Sequence, residues 1–348
     1  MNPVARHLAM FGAGSWGTAL SVSLARAGRP VTLWARRPEA TATMRQTRHN
    51  PTYLPDVVIP SVVDITSDLE DAAEAADLWV IATPSQAVRH LAERLKPLQR
   101  PGLTVISLAK GIENQTLMTT TQVLADVLEA VPGNRIGVLY GPSHAEEVAE
   151  EKPTTVVASA PDPDVAEAIQ QVFMTDRLRV YVNTDVIGVE IGGSVKNVLA
   201  IAAGICDGVG YGDNAKAAII TRGIAEIRRL GLAMGARPST FAGLAGIGDL
   251  VVTCMSGHSR NRFLGEQIGK GRTLDEIESS MSMVAEGVRT TESVRDLARR
   301  HRIEMPITEA VYAILFDHKD PDHAVHELMT RSAKRENWLP DVLQDELS

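Results

Sequence analysis

Cysteine is nearly absent from this sequence: Cys206 and Cys254 are the only two in 348 residues. Two are too few for a disulfide framework, and plain thiols in a reduced compartment are expected. Positive charge is not in excess either. Lysine and arginine total 35 against 43 aspartates and glutamates, a formal net charge of −8 with pI near 5.6. A surface that neutralises nucleic-acid phosphates needs a dominant basic field, so that class of partner is excluded, while local basic pockets for small anions remain open. The N-terminus, Met1-Asn2-Pro3-Val4-Ala5-Arg6, carries no apolar segment of the signal-peptide kind. Long apolar runs are missing as well. The longest apolar helix candidate, Val195 to Cys206, is interrupted by Lys196 and Asn197 and falls short of the roughly 20 residues a membrane span needs. A cytoplasmic protein without integral membrane contact is the expectation. The nine histidines are scattered, with no His-x-x-x-His pair and no clustering with the cysteines, so no metal is expected. Internal repeats, low-complexity tracts and long linkers are also lacking.

What remains is ordinary globular composition, 44% hydrophobic and 22% charged, in a chain long enough for two packed cores. From residue 7 to about 183, short apolar runs alternate with helical stretches, the pattern of a parallel sheet covered by helices. Leu8 to Phe11, Val31 to Trp34, Leu78 to Ala82, Thr104 to Leu108 and Ile136 to Tyr140 are brief and bounded by Gly, Pro or Asp, as buried strands should be. Between the first two, Trp16, Leu20 and Leu24 recur at helical spacing and Gly28 closes the helix. Thr154 to Ala158 and Leu178 to Val182 flank a helix-like stretch at 163–174 and extend the sheet in a direction the sequence does not reveal. Asn183-Thr184-Asp185 then offers capping side chains, and the rest is helix-periodic. The expected division is a sheet-and-helix domain over 1–184 and a helical domain over 185–348, meeting at a cleft. From Arg331 onward the chain is polar and charged, as a surface tail would be.

The first strand runs directly into Gly12-Ala13-Gly14-Ser15-Trp16-Gly17. In a β-α-β unit such a loop binds a dinucleotide. Gly12 permits the tight turn, Gly14 lets backbone approach the pyrophosphate, and Gly17 lets helix and strand pack closely with helix N–H groups facing the anion. An NAD-specific version carries Asp or Glu about 20 residues on, at the end of the second strand. Here the strand ends in Trp34-Ala35-Arg36-Arg37, and guanidinium groups suit a 2′-phosphate through paired charge-assisted hydrogen bonds. NADP(H) is therefore preferred or accepted, with NAD(H) also open. Lys110, before Gly111 at another strand's carboxyl end, can reach cofactor or an anionic substrate. Ile136 to Tyr140 empties into Gly141-Pro142-Ser143-His144-Ala145, where Ser143 can cap the next helix or bind ligand.

In the helical half, Gly192 and Gly193 lie four and three residues before Lys196 and share its face. They are expected to leave a groove in which ligand touches the helix backbone, and a partly desolvated lysine there tends toward a lowered pKa suited to general acid–base work. Asp249 and Thr253 lie one turn apart and can face the same site. Ser259 is a plausible N-cap for a helix that opens with Arg260 and Asn261; a basic first turn is unfavourable unless an anion such as a substrate phosphate sits there.

Taken together, Gly12 to Ala19, Trp34-Ala35-Arg36, Ala109-Lys110-Gly111, Gly141 to Ala145, Lys196-Asn197, Ala245-Gly246-Ile247-Gly248-Asp249-Leu250, Ser259-Arg260-Asn261 and Val284-Ala285-Glu286-Gly287 resemble the bacterial biosynthetic sn-glycerol-3-phosphate dehydrogenases. Singly these motifs are moderate, and their order and spacing carry the specificity. His144 departs from the family, which often has an aromatic residue there. The resemblance implies an N-terminal Rossmann domain followed by an all-helical domain, a 6-phosphogluconate-dehydrogenase-like architecture. It implies reversible reduction of dihydroxyacetone phosphate by NAD(P)H for glycerophospholipid synthesis. It makes Lys196 the general acid/base, assisted by Asp249, Asn197 and Thr253. Lys110, Arg260 and Asn261 would hold substrate, with Gly141, Ser143 and Ser259 adding hydrogen bonds. Ser15, Trp16, Arg36, Tyr53, Ala145, Arg260, Val284 and Glu286 would contact the dinucleotide, which Lys110 and Arg37 can also reach. A homodimer is open. The rival readings are a two-domain reductase of a β-hydroxyacid or ketopantoate-like carboxylate, and a non-catalytic NADP(H) sensor, against which Lys196 and Asp249 count.

Overall fold

Strands that carry no polar alternation must be covered on both faces, and the first half of the chain obeys this. The computed structural model describes residues 7–281 and 285–333; Met1 to Arg6, Val284 and most of the expected surface tail lie outside the described residues. Among the described residues ten strands form: β1 (Leu8–Phe11), β2 (Val31–Trp34), β3 (His49–Asn50), β4 (Leu54–Val58), β5 (Asp64–Thr66), β6 (Leu78–Ile81), β7 (Thr104–Ser107), β8 (Ile136–Tyr140), β9 (Thr154–Ser159) and β10 (Leu178–Asn183). Eight of them make one sheet in the order β10-β9-β8-β7-β6-β1-β2-β5. Every residue of β1, β2, β6, β7 and β8 is buried. From β5 across to β8 the neighbours are parallel. The chain leaves β1 for β2 on one side and returns to β6 on the other, which puts the switch point of the sheet at the carboxyl end of β1, directly beneath Gly12.

The directions that the sequence left open are mixed. β9 is antiparallel to β8, and β10 is parallel to β9. Only a five-residue helix, Ala145–Ala149, lies between β8 and β9. Its length of about 7.5 Å is too short to carry the chain back along a strand of about 17 Å. Three further strands were not expected from the sequence. β5 is three residues long, and β4 reads Leu-Pro-Asp-Val-Val with mostly exposed positions, so neither presents an apolar run. β3 and β4 form a small antiparallel hairpin beside the sheet.

Asp185 caps the helix that opens the second half, its Oδ1 accepting the Gly188 N–H at 3.0 Å. That helix, Val186–Val209, spans 24 residues and is long and apolar enough to cross a membrane by length and composition. This corrects the expectation that no apolar helix reaches that length: Lys196 and Asn197 sit within it as buried positions rather than ending it. In its most apolar window 94% is buried inside the fold, so it is the central core helix of the second half, wrapped by Asp213–Ala233, Asp249–Met255, Arg260–Gly269 and Glu286–His301.

Gly192 and Gly193 take a different role from the expected ligand groove. A Cβ on Gly192 would collide with the Ala245 carbonyl oxygen, and one on Gly193 would stand 2.6 Å from the Tyr140 ring. Both glycines are filled by protein, because the central helix must lie against the sheet and the Ala245 turn at backbone distance. Likewise a Cβ on Gly269 would stand 2.5 Å from the Ile205 carbonyl, and one on Gly265 would strike that of Ile201. These close approaches bring the start of Arg260–Gly269 beside Lys196.

Candidate active site

The cofactor loop is shaped by one strained position. Gly12 has φ +129°, and a Cβ there would lie 2.6 Å from the Ala82 carbonyl oxygen, so glycine alone fits this turn. A Cβ on Gly17 would strike the Gly12 carbonyl, whereas one on Gly14 meets nothing within 4 Å, and Gly14 forms part of the cleft wall. The β3–β4 hairpin holds the loop. Asn50 Nδ2 donates to the Ala13 carbonyl and to Thr18 Oγ1, both at 2.9 Å, and Ser15 Oγ donates to the Tyr53 carbonyl at 2.9 Å. Asn50 was missed in the sequence because no local pattern marks a side chain that acts through a hairpin.

A cleft of about 760 Å³ runs from Arg36 and Arg37 past the glycine loop to Lys196. Its wall includes Gly12, Gly14, Ser15, Trp16, Arg36, Arg37, Tyr53, Lys110, Ser143, Lys196, Asn197, Thr253, Ser259, Arg260, Asn261 and Glu286. Gly17, Gly141, Ala145 and Asp249 stand behind that wall, and Val284 lies outside the described residues. Among the described residues, three buried polar atoms of the wall have no hydrogen-bond partner: Trp16 Nε1, Thr83 Oγ1 and His144 Nε2. Buried polar groups are seldom left unsatisfied. With the glycine cradle, these orphaned groups fit a long polar ligand such as a dinucleotide.

At the deep end, one buried carboxylate organises two ammonium groups. Lys196 Nζ donates to Asp249 Oδ1 and, at 2.7 Å, to Thr253 Oγ1; Lys110 Nζ donates to Asp249 Oδ2 at 2.7 Å and to the Gly141 carbonyl at 2.9 Å. Gly141, at φ +138°, turns the chain off β8 so that its carbonyl meets Lys110. Asp249 is 1% exposed and Lys196 6%. Burial pushes the Lys196 ammonium down to about 8, opposed by the Asp249 charge and reinforced by that of Lys110. The cluster holds two cations for one anion, which favours a substrate oxygen developing negative charge.

The far wall comes from helix starts. Ser259 Oγ accepts the Arg262 N–H at 3.2 Å and caps Arg260–Gly269. Asn261 Oδ1 accepts the Gly287 N–H at 2.9 Å, which leaves its amide nitrogen as a donor. Glu286 Oε1 accepts the Ser85 N–H at 3.3 Å and so ties the helical half to the sheet half. Burial raises the Glu286 carboxyl above its ordinary range, against the pull of Arg260. Ser143 is not a cap: His144 holds that position without a side-chain bond, and Ser143 Oγ donates to the Gly141 carbonyl at 3.1 Å. The His144 imidazole lies 5.6 Å from that of His258, and its pKa is lowered by burial and by the Lys196 charge. Among the described residues, no group of three or more His, Cys, Asp or Glu could hold a metal ion.

The model of the NAD-dependent glycerol-3-phosphate dehydrogenase N-terminus matches residues 7–166, and that of the C-terminus of the same family matches 185–326. A protein of Salinibacter ruber named glycerol-3-phosphate dehydrogenase [NAD(P)+] 2 is 70% identical over 97% of this chain and 98% of its own length. Its counterpart from Chlorobium luteolum is 54% identical over 95% and 99%. The crystal structure of glycerol-3-phosphate dehydrogenase from Coxiella burnetii superposes with a TM-score of 0.90 at 40% identity, covering 94% of this chain and 99% of that one. A ketopantoate reductase from Ralstonia eutropha reaches only 0.57 at 17% identity, a likeness of fold alone. With both halves of the family matched and relatives aligned along nearly the whole chain, the protein belongs to the NAD-dependent glycerol-3-phosphate dehydrogenases.

Proposed function

We propose a division of labour among the cleft residues of this enzyme, which reduces dihydroxyacetone phosphate with NAD(P)H to sn-glycerol 3-phosphate, the precursor of glycerophospholipids. The observation that carries it is the Lys196–Asp249–Lys110 cluster at the deep end of a cleft that begins at a dinucleotide loop. When bound, the reduced dinucleotide supplies a hydride to the substrate carbonyl carbon. Lys196 Nζ donates a proton to the carbonyl oxygen as charge develops there, and Asp249 keeps that ammonium charged and aimed. Thr253 fixes its third direction. Lys110, Asn197, Ser259 and Asn261 hold the substrate's polar oxygens, Arg260 faces its phosphate, and Gly141 and Ser143 set the position of Lys110 and the floor of the site.

At the cofactor end, Gly12, Gly14 and Gly17 shape the pyrophosphate seat, with Ser15, Trp16, Tyr53 and Ala145 around it. Arg36, with Arg37 beside it, meets the 2′-phosphate of NADP(H), and Glu286, following Val284, lies near the nicotinamide. On this reading residues 1–184 are the dinucleotide-binding domain and 185–348 the substrate domain of a cytoplasmic enzyme; a homodimer is the assembly to examine first. Loss of NADPH absorbance on adding dihydroxyacetone phosphate is the direct test. Absence of turnover with either NADPH or NADH overturns the reading.

A further inference from the structure

Arg94 sits in the last turn of the helix Val88–Leu95, which follows β6, and no sequence pattern sets it apart. In the fold it lines the same end of the cleft as Arg36 and Arg37. Its guanidinium carbon stands 5.5 Å from the centre of the Trp34 ring. Trp34 ends β2, and the Ala35 N–H still donates to the Thr66 carbonyl of β5 at 2.9 Å before the chain bends at Arg36. Trp34 joins the cluster of Phe11 and Leu91, while Ala35 joins that of Leu33 on the other face. Arg36 follows two residues after the Trp34 that Arg94 packs on, and both arginines line the same cleft.

Among the described residues, none of Arg36, Arg37 and Arg94 has an ion pair. The acidic residue in that part of the wall is Glu39, and His90 stands one turn before Arg94. Guanidinium groups gathered without a matching set of carboxylates repel one another unless an anion joins them.

We infer that Arg94 is a second arm of the 2′-phosphate site, a specificity-determining residue that closes on the phosphate opposite Arg36 and is steadied by stacking on Trp34. The inference rests on the reading of Arg36 as a ligand of that phosphate. Glu39 would hinder a lone arginine here, and a second guanidinium offsets it. An ammonium at position 94 would keep the charge but lose the planar fork and the stacking.

The test is the ratio of kcat/KM for NADPH to that for NADH, at fixed saturating dihydroxyacetone phosphate, in the wild type and in Arg94→Gln, Arg94→Lys and Arg36→Ala. Arg94→Gln is expected to lower the ratio about tenfold, as loss of a charged hydrogen bond does, with Arg94→Lys falling between. A purely structural role would weaken both cofactors alike and leave the ratio unmoved. If Arg36→Ala lowers the ratio while Arg94→Gln keeps it within twofold of wild type, the inference is wrong and the Arg36 reading stands. If neither substitution moves the ratio, the 2′-phosphate reading itself falls.

Discussion

The two ends of the cleft are built on opposite plans. At the cofactor end, Arg36, Arg37 and Arg94 are exposed and carry no ion pair among the described residues. At the substrate end, Lys196 and Lys110 are paired to the buried Asp249 within the protein itself. Exposed charge remains hydrated and loses little by waiting for its ligand. Buried charge must find its partner within the protein, because an unpaired ion there costs several kcal/mol. On the proposed reading the ligand would complete the first end, whereas the protein itself completes the second. Damage to the first should therefore appear in cofactor affinity and selectivity, and damage to the second in turnover and stability.

The largest expected break is Lys196→Ala. General acid–base groups contribute about 10²–10⁴ in rate, and kcat for reduction should fall by that much, while the NADPH Kd from fluorescence titration moves less than a few-fold. A kcat within tenfold of wild type would remove the deep end from the chemistry. Asp249→Asn comes next. With Lys196 as the proposed acid, reduction requires its ammonium, so in the wild type kcat/KM should fall as pH rises through about 8. The Asp249 charge raises that value and Lys110 lowers it; without the carboxylate, the decline should move to lower pH by about one unit or more. A pH profile that stays in place would show that Asp249 does not set the charge on Lys196. Gly192→Ala should have the smallest effect on chemistry and act on stability instead. Its Cβ meets the Ala245 carbonyl, and forced overpacking of this kind costs about 1–3 kcal/mol, readable as a lower melting temperature in calorimetry. No loss would mean that the helix and the Ala245 turn are less tightly locked than the backbone contact requires.

The same contrast governs how much could be read in advance. The strands β1, β2 and β8 run over the residues that their apolar runs mark out, because burial on both faces leaves an unbroken signature. The glycine loop is equally plain, since its function is carried by backbone and contiguous residues. The hairpin at residues 49–58 escaped because Pro55 and exposed positions hide it, and with it went Asn50, the side chain that ties down the loop. Gly192 and Gly193 were visible as glycines beside Lys196, yet the sequence could not say whether ligand or protein would fill the space; Tyr140 and Ala245 fill it. Arg94 was invisible for a similar reason, as a lone arginine in an amphipathic helix looks like any solvated residue.

By itself, then, the sequence determined the class of cofactor, the alternation that builds the sheet, and the residue types able to move a proton beside a phosphate. Each of these is local, or repeats with a fixed period. The meeting of Lys110, Lys196 and Asp249 around one carboxylate spans 139 residues between Lys110 and Asp249, and no short-range pattern encodes it. Only the packing of the central helix against sheet and turn, through glycines that admit backbone at close range, brought those charges together and buried them. That burial pushes the Lys196 ammonium from its ordinary range down to about 8.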